Sequence, residues 1–315
     1  MNGLKKIKNF FKNFWILLLA SGKAFAADKI PKLSSSLAYC TLFSLAPLLT
    51  IVIASASLIY KKEIIEGKVY ELVGQFTDDM NIAAQIQNIV TQVSLSNKTS
   101  FALIIGIVSL IIGATAVFLE IQDSLNTIWK VKAKPQKGIV AMLINRLKSF
   151  SLIISLGFLL LVSLILNNIL GSIQSRFQDL IPLPSGWLFF VLNNVVTFAV
   201  ITFLFAVIFK VLPDVILKWK PAFVGAAFTT FLFAIGKFLI DIYITKASPG
   251  AIFGAAGTLI VLLLWVYYTA FILYFGAEFT QAYARQFSDG IKPSKYAVYI
   301  KITEEEKASL PPQAS

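Results

Sequence analysis

Charged residues divide the chain into long uncharged runs. Five runs hold between 21 and 31 consecutive uncharged residues. A helix needs about 20 residues to cross the hydrocarbon core of a bilayer, and a charge at its centre costs about 2.5–3.5 kcal/mol. A sixth stretch is apolar except for Lys237 and Asp241. The pattern therefore predicts six transmembrane helices, at about residues 36–60, 101–120, 149–171, 187–210, 222–245 and 251–278.

The N-terminal segment combines four early lysines with a short apolar stretch at residues 14–20. One interpretation is a secretory signal peptide with a cleavage site at 24–26; the other is an amphipathic helix on the membrane surface. The apolar stretch has the minimum length for a signal peptide, and Lys23 interrupts the approach to the site, so we favour the surface helix. The predicted fold is all-α: a basic interfacial segment (1–32), a six-helix transmembrane domain (33–288) and a polar tail (289–315).

Positive charge is unevenly divided between the two predicted sides of the membrane. The N-terminal segment, two alternate loops and the tail hold 21 Lys and Arg residues, whereas the other three loops hold six. Lys and Arg are concentrated in cytoplasmic loops of membrane proteins. We therefore expect both termini to lie in the cytoplasm. The net charge of +12 then needs no nucleic-acid partner, and membrane lipids are the expected partner of the basic segments.

Composition excludes several kinds of chemistry. The chain is 57% hydrophobic and 14% charged, against about 45–50% and 25% in soluble domains. It has no histidine and a single cysteine, Cys40, so histidine-based catalysis, histidine-ligated metals and intrachain disulfides are excluded. We expect no catalytic residues, no metal and no cofactor, and the chain is not predicted to be an enzyme.

Two ionisable residues lie within the fifth predicted span. Lys237 and Asp241 are four residues apart, so they share a helix face and can pair. Ionisable residues inside a membrane segment are by default candidates for a solute or ion pathway. The alternative is a structural ion pair near the outer end of the span.

The first span contributes Tyr39, Ser44 and Pro47 as candidate pathway residues. Pro47 removes a backbone donor and can free a carbonyl inside the bundle, close to Ser44. The alternative is that these small and hydroxyl residues allow close helix packing.

Carboxylates and amides complete the candidate set. Glu120 ends the second span near Asp123, and Glu278 stands near the end of the sixth. These carboxylates could gate a cation pathway, or they could bind nearby lysines such as Lys130 and make a helix contact. Asn167 and Asn194, on the third and fourth spans, form either an interhelical hydrogen-bond clamp or a solute-binding face.

Several motifs resemble the YihY/BrkB family of bacterial inner-membrane proteins. The stretch from Ser36 to Pro47 resembles its first-span signature, and the stretch from Gly250 to Glu278 resembles its final one. Leu125–Trp129 and Leu212–Asp214 also look like family positions. The resemblance implies a six-helix protein of the bacterial inner membrane. The family carries a virulence-factor label and was formerly described as ribonuclease BN, but scattered carboxylates without histidine argue against a nuclease site.

Two functions from different classes fit these observations. The first is a transporter or exporter of a small polar or amphipathic solute, through a cavity between the six helices. The second is a non-transporting envelope factor that acts through lipids or partner proteins, using the basic N-terminal helix. A membrane-embedded enzyme is third, because no catalytic constellation stands out. The sequence indicates neither a substrate nor an oligomeric state.

Overall fold

The structure, a computed structural model, describes residues 2–59, 99–134, 186–247 and 255–300. Its described elements are six helices and four short strands. In chain order they are α1 (Asn2–Ala27), α2 (Ile30–Ile59), α3 (Thr99–Ile128), β1 (Val131–Ala133), α4 (Gly186–Val211), β2 (Val215–Ile216), α5 (Trp219–Ala247), α6 (Ala255–Phe287), β3 (Lys292–Pro293) and β4 (Ala297–Tyr299).

The helices coincide with five of the six predicted spans. Three described stretches are long and apolar enough to cross a membrane: Asn194–Val211, Trp219–Ile240 and Leu259–Phe287. The predicted span at 149–171 lies outside the described residues, so the count of six stays a prediction. Helices α3 and α6 continue past the predicted spans, and Glu120 and Glu278 therefore lie within helices.

Two small antiparallel sheets join the chain segments at one end of the bundle. Strand β1 pairs with β4, and β2 pairs with β3. The tail after α6 is thereby attached both to the segment after α3 and to the turn between α4 and α5. An ion pair between Lys218 and Asp289 (2.7 Å) adds a third connection. The described parts of the positively charged segments thus meet at the same end.

Helices α5 and α6 approach closely through two glycine–threonine contacts. A Cβ atom added at Gly225 would lie 1.8 Å from Thr280 Oγ1, and one at Gly276 would lie 1.9 Å from Thr229 Oγ1. Each threonine hydroxyl donates to the carbonyl four residues earlier in its own helix, at 2.7 Å. Small residues at crossing points let helix backbones approach in a lipid environment. These contacts fix where α6 lies against α5.

Helix α1 packs on α6 with one face and leaves the opposite face exposed. Its buried face includes Leu17 and Ser21, and the Phe14 and Phe25 rings lie 6.0 Å from Phe279 and 4.7 Å from Phe271. Its exposed face carries Phe11, Trp15 and Leu19 together with Lys8, Lys12 and Lys23. The helix is thus apolar on both faces, and the lysines whose side chains the structure describes lie on the exposed one.

Candidate functional site

A carboxylate is buried inside an apolar helix of membrane-spanning length. Glu278 lies in α6, within a stretch apolar enough to cross a membrane, and only 1% of its surface is exposed. In the ionised form, neither of its carboxylate oxygens has a hydrogen-bond donor among the described residues. Leaving a buried polar group unpaired costs about 1–3 kcal/mol, and more when it is charged. Such a group needs a functional or structural explanation.

Two further buried hydroxyls lie in the same region. Tyr274, one helical turn before Glu278, is fully buried, and Ser124 on α3 is 2% exposed. The two hydroxyls lie within hydrogen-bonding reach of each other, and neither has another partner within the described part of the chain. Residues four apart share a helix face, so Tyr274 and Glu278 line one side of α6. We call Ser124, Tyr274 and Glu278 the polar row.

The end of α3 is bound to α6 on both sides of Glu278. Trp129 Nε1 donates to the carbonyl of Ala277 (3.2 Å), and Gln281 Nε2 donates to the carbonyl of Ile128 (3.0 Å). Trp129 and Ile128 are themselves buried. These two bonds fix the register of α3 against the turn that carries Glu278, so the polar row has a defined geometry.

A second carboxylate faces Glu278 from the junction of α1 and α2. Asp28 pairs with Lys130 at the end of α3, and its side chain is 7% exposed. Glu278 lies close enough to Asp28 and Lys130 to interact electrostatically with both, and its carboxyl group is within hydrogen-bonding reach of the Asp28 side chain when one of the two acids carries a proton. The cluster of Asp28, Lys130 and Glu278 therefore contains two acids and one base. We call Asp28 and Lys130 the flanking pair.

Left-handed backbone turns place both members of the flanking pair. Lys29, which follows Asp28, has φ = 53°, and Lys130 has φ = 58°. This conformation costs a residue other than glycine about 1–2 kcal/mol, and such strain concentrates at functional sites. At Lys29 the chain turns from α1 into α2, and at Lys130 it leaves α3 for β1. The turns bring Asp28 and Lys130 into contact across 102 residues of sequence.

The other end of the polar row approaches α2. Tyr274 interacts electrostatically with Glu120 on α3 and Cys40 on α2. The polar row therefore extends along α6 between the predicted pathway residue Glu120 and the flanking pair. Helices α2, α3 and α6 together contribute every residue named along it.

Hydrogen bonds from Gln122 and Asn126 to Asp214 join α3 to the turn between α4 and α5, and we call this set of bonds the lock. Asp214 Oδ2 accepts from Asn126 Nδ2 (2.9 Å) and Gln122 Nε2 (3.1 Å). In return, the backbone N–H of Asp214 donates to Asn126 Oδ1 (2.9 Å). The side chain of Asn126 thus uses both its donor and its acceptor on one residue. This explains structurally two of the motif positions singled out in the sequence.

Of the nine predicted pathway residues, Glu120 lies near Tyr274, and Glu278 lies one helical turn from Tyr274 on α6. Tyr39 is exposed and packs on Phe43, with ring centroids 4.7 Å apart. Ser44 donates to the carbonyl of Thr41 (2.8 Å), and a Cβ at Gly113 would lie 3.0 Å from Ser44 Cβ. Ser44 therefore serves close packing of α2 and α3.

The remaining predicted residues are placed less fully. Lys237 and Asn194 are exposed on the described helices, and α2 continues as a helix through Pro47. The side chains of Pro47 and Asp241, and the whole of Asn167, lie outside the described residues. A pair between Lys237 and Asp241 therefore stays a prediction.

One of the alternatives left open above does not hold for Lys130. Lys130 pairs with Asp28 instead of with Glu120 or Asp123, because the turn at Lys130 directs its side chain toward the α1–α2 junction. Sequence reasoning also missed Asp28, Ser124 and Tyr274. Asp28 could have been singled out from the sequence, since it is the only acidic residue among the first 62. Ser124 could not, because its burial depends on how α3 packs.

The oxygens of the polar row and the flanking pair do not form a divalent metal site. In the regions that the structure describes, no group of three or more His, Cys, Asp or Glu residues could hold a metal ion. What the arrangement offers is one carboxylate and, one helical turn away along α6, two hydroxyls near each other, in a buried position between helices.

Comparisons with known proteins place the chain in a family. A family model described as "Virulence factor BrkB" matches residues 22–298. A UPF0761 membrane protein of Alcanivorax borkumensis is 26% identical over 87% of this chain and 61% of its own length. A second, of Albidiferax ferrireducens, is 27% identical over 85% and 62%. A third, of Alteromonas mediterranea, is 26% identical over 91% and 95%.

The chain spans about three fifths of the length of the first two relatives and nearly all of the third. No solved structure matches it. The family model covers most of the chain, which confirms the resemblance read from its motifs, and the relatives are named as membrane proteins. The chain therefore belongs to the BrkB virulence-factor family and is a membrane protein of that family.

Proposed function

We propose that this protein is a transporter of a small polar or amphipathic solute, with the polar row as part of the solute or ion path. The observation that carries the proposal is the buried Glu278 carboxylate, which in its ionised form has no hydrogen-bond donor among the described residues. Ionisable groups at membrane depth are expensive, and proteins keep them chiefly along ion and substrate pathways and in proton relays. A purely structural role would leave Glu278 either paired or replaceable by an apolar residue at lower cost.

The residues around Glu278 are more consistent with a solute or ion path than with a single unsatisfied carboxylate. Buried oxygens on two helices follow one another along α6, those of Ser124 and Tyr274 and that of Glu278 one turn further, with Glu120 near the first and the flanking pair near the last. We propose that the flanking pair lies at the cytoplasmic end, in the inner membrane. The positively charged segments meet at that end of the bundle, and positive loops favour the cytoplasm.

The proposal does not include catalysis. A two-metal hydrolase needs several ligands around ions about 3.5–4 Å apart. The cluster offers two carboxylates, and Asp28 is already engaged by Lys130. We therefore assign neither ribonuclease nor other enzymatic activity to this site.

The test compares cells that lack the protein with cells that overproduce it, by mass spectrometry of small molecules inside and outside. A transported compound should change reciprocally between the two strains. Glu278→Gln keeps the side-chain shape but removes the charge, and it should abolish that change. Asp289→Asn makes the same chemical replacement at an exposed position outside the row, and it should leave transport intact.

Insertion into the membrane is checked for each variant, and Tyr274→Phe serves as a second probe of the row if Glu278→Gln inserts poorly. Unchanged transport in both inserted variants would contradict the proposed path. Loss of transport in Asp241→Asn, with normal transport in Glu278→Gln, would indicate that the path runs along α5 at Lys237 and Asp241 instead.

A second candidate function rests on the exposed face of α1. Phe11 and Trp15 are 65% and 60% exposed, and exposed Lys8, Lys12 and Lys23 lie beside them. Aromatic residues with flanking lysines suit the interface of a membrane with anionic lipids. We propose this surface as the means by which an envelope factor would act through lipids, without any transport.

The lysines of α1 can be tested apart from transport. Replacing Lys8, Lys12 and Lys23 by Gln together should reduce the phosphatidylglycerol that stays bound to the purified protein in native mass spectrometry. Replacing the exposed Lys220, Lys292 and Lys295 by Gln is the matched control and should not. Equal lipid loss in both triple variants would refute a specific role of α1. A chain lacking residues 1–20 should lose its cellular effect if this second function is the correct one.

A further inference from the structure

We propose that Asp28 and Glu278 share one proton, and that their two carboxyl groups form a proton-binding site between α6 and the junction of α1 and α2. As the coupling ion of a transporter, this proton rests on the function proposed above. As a bound proton, it rests only on the contact between the two acids. Three observations lead to it: the burial of both acids, the charge of the cluster, and the elements that carry the two residues.

Both acids are buried, and they meet each other. Only 1% of Glu278 is exposed, and the side chain of Asp28 is 7% exposed. Their carboxyl groups lie within hydrogen-bonding reach of each other. An ionised carboxylate can only accept hydrogen bonds, whereas a protonated carboxyl group also has an O–H that donates. A hydrogen bond between Asp28 and Glu278 therefore requires one proton on the pair.

The charge of the cluster also calls for one proton. Lys130 forms an ion pair with Asp28, so it compensates one of the two acids. Two carboxylates at hydrogen-bond distance repel each other, and in such pairs one of the two acids keeps its proton. With one shared proton, Asp28, Glu278 and Lys130 are neutral together, which suits a buried position between helices.

The other charged groups of the described elements do not replace this proton. Arg285, two turns further along α6, interacts with Glu278, but its side chain is exposed and therefore screened by solvent. The described lysine side chains of α1 and α2 are exposed as well. The acids of α3, Glu120 and Asp123, interact with each other. Helix α5 contributes the uncharged Phe228, whose ring stacks on the residue after Glu278 at 4.0 Å.

The two acids belong to different elements, so the proton is linked to the contact between these elements. Glu278 lies in α6, and Asp28 directly follows α1, which packs on α6 through Phe25. Loss of the shared proton leaves two carboxylates facing each other without a donor, and their repulsion weakens this contact. The pair takes its proton from water and returns it to water, so only an O–H bond forms and breaks. A proton-coupled transporter requires this kind of link between proton binding and helix packing.

The test measures thermal unfolding of the full-length protein in lipid nanodiscs as a function of pH, at constant ionic strength. Carboxyl groups of an unfolded chain are ionised above about pH 5, so the folded protein should bind one proton more than the unfolded chain. Stability falls with rising pH wherever the folded state binds more protons. We therefore expect the melting temperature to fall by about a few degrees per pH unit above about pH 5.5, until the pair is ionised.

The same measurement on variants assigns the proton to the pair. Glu278→Gln provides a permanent N–H donor toward Asp28 in place of the shared proton, and it should remove the fall with pH. Asp28→Asn should also remove it, because Glu278 and Lys130 then balance each other without a proton. Asp289→Asn should keep the fall, because that carboxylate is exposed and lies outside the pair.

Infrared spectroscopy of the wild-type protein tests the same proton without any substitution, and it decides if a variant does not fold. A protonated carboxyl group has a C=O stretching band that an ionised carboxylate lacks. In a maltoside detergent, which contains no ester groups, we expect this band at neutral pH, and we expect it to disappear at high pH.

Two results would overturn the shared proton: the same pH dependence in the wild-type protein and in Glu278→Gln, or no protonated carboxyl group at neutral pH. A fall with pH that survives in Asp28→Asn but not in Glu278→Gln would also reject sharing, because the proton would then belong to Glu278 alone. Neither measurement requires transport. A pH response of the pair without any transported compound in cells would keep the proton site and reject the transporter.

Discussion

Gly225 shows at the scale of one residue how the α5–α6 contact depends on the missing side chain. A Cβ atom there would lie 2.8 Å from Thr280 Cβ and 3.2 Å from Thr280 Cα, and neither atom can move without displacing α6. Gly22 in α1 has no atom within 4 Å of its Cβ position. The two glycines therefore differ in packing although both lie within helices.

This difference predicts opposite effects of the same substitution. Gly225→Ala should destabilise the protein by about 1–3 kcal/mol, because overpacking forces the helices apart. Gly22→Ala should be neutral or stabilising by up to about 1 kcal/mol, because alanine is the better helix former. Apparent melting temperatures of the two purified variants provide the measurement. A lower melting temperature for Gly22→Ala than for Gly225→Ala would contradict the close approach of α5 and α6.

Single residues also mark how far the sequence can predict a site. Glu278 could be singled out because a carboxylate in an apolar run is conspicuous in any sequence. Its surroundings could not, since Asp28 comes next to it only through the turn at Lys29, and Ser124 comes next to Tyr274 only through the docking of α3. A charged residue within an apolar run can be recognised from the sequence alone. A contact between residues 150 positions apart cannot.

At the scale of elements, the positions of the helices were predictable and their ends were not. Runs without charge gave four of the described helices, and the stretch interrupted by Lys237 and Asp241 gave α5, because hydrocarbon excludes charge along about 20 residues. The final turns of α3 and α6 carry charged and amide side chains and yet remain helical. They do so because Trp129 and Gln281 bind the neighbouring helix, a tertiary effect that no hydropathy pattern contains.

The lock between α3 and the α4–α5 turn gives a prediction that belongs to this scale. Asn126→Asp would replace the donor to Asp214 by a second carboxylate, so the two would repel each other at hydrogen-bond distance. The buried position of Asn126 makes a loss of about 1–3 kcal/mol the expected result. Apparent melting temperature is again the measurement, with the exposed Asn9→Asp as the control.

A swap tests the geometry of the lock more sharply. The double variant Asn126→Asp with Asp214→Asn exchanges donor and acceptor, and the backbone N–H of residue 214 keeps its acceptor. It should recover a large part of the stability that Asn126→Asp loses. A double variant less stable than Asn126→Asp alone would mean that the Asn126–Asp214 bonds do not hold the two elements together.

At the scale of the whole molecule, the distribution of Lys and Arg and the contacts in the fold independently assign the same segments to one end of the bundle. Charge counting assigns the N-terminal segment, the segments after α3 and α4, and the tail to one side. The two small sheets and the Lys130–Asp28 and Lys218–Asp289 pairs bring the described parts of those segments into contact. Segments in contact at one end of a bundle lie on the same side of a membrane, so the contacts agree with the assignment from charge.

The side itself can be determined by labelling single cysteines in intact cells. Cys40→Ser removes the only natural thiol, and one cysteine at a time is then introduced. A membrane-impermeant maleimide should label Ser96→Cys, Ser175→Cys and Ser248→Cys, which follow the first, third and fifth predicted spans. It should leave Asn9→Cys, Gln136→Cys and Ser309→Cys unlabelled until the membrane is opened, because Lys- and Arg-rich segments stay in the cytoplasm. Labelling of Ser175→Cys is the decisive point, since it lies beyond the span predicted at 149–171. If Ser175→Cys is protected while Ser248→Cys is labelled, the predicted count of six spans is wrong.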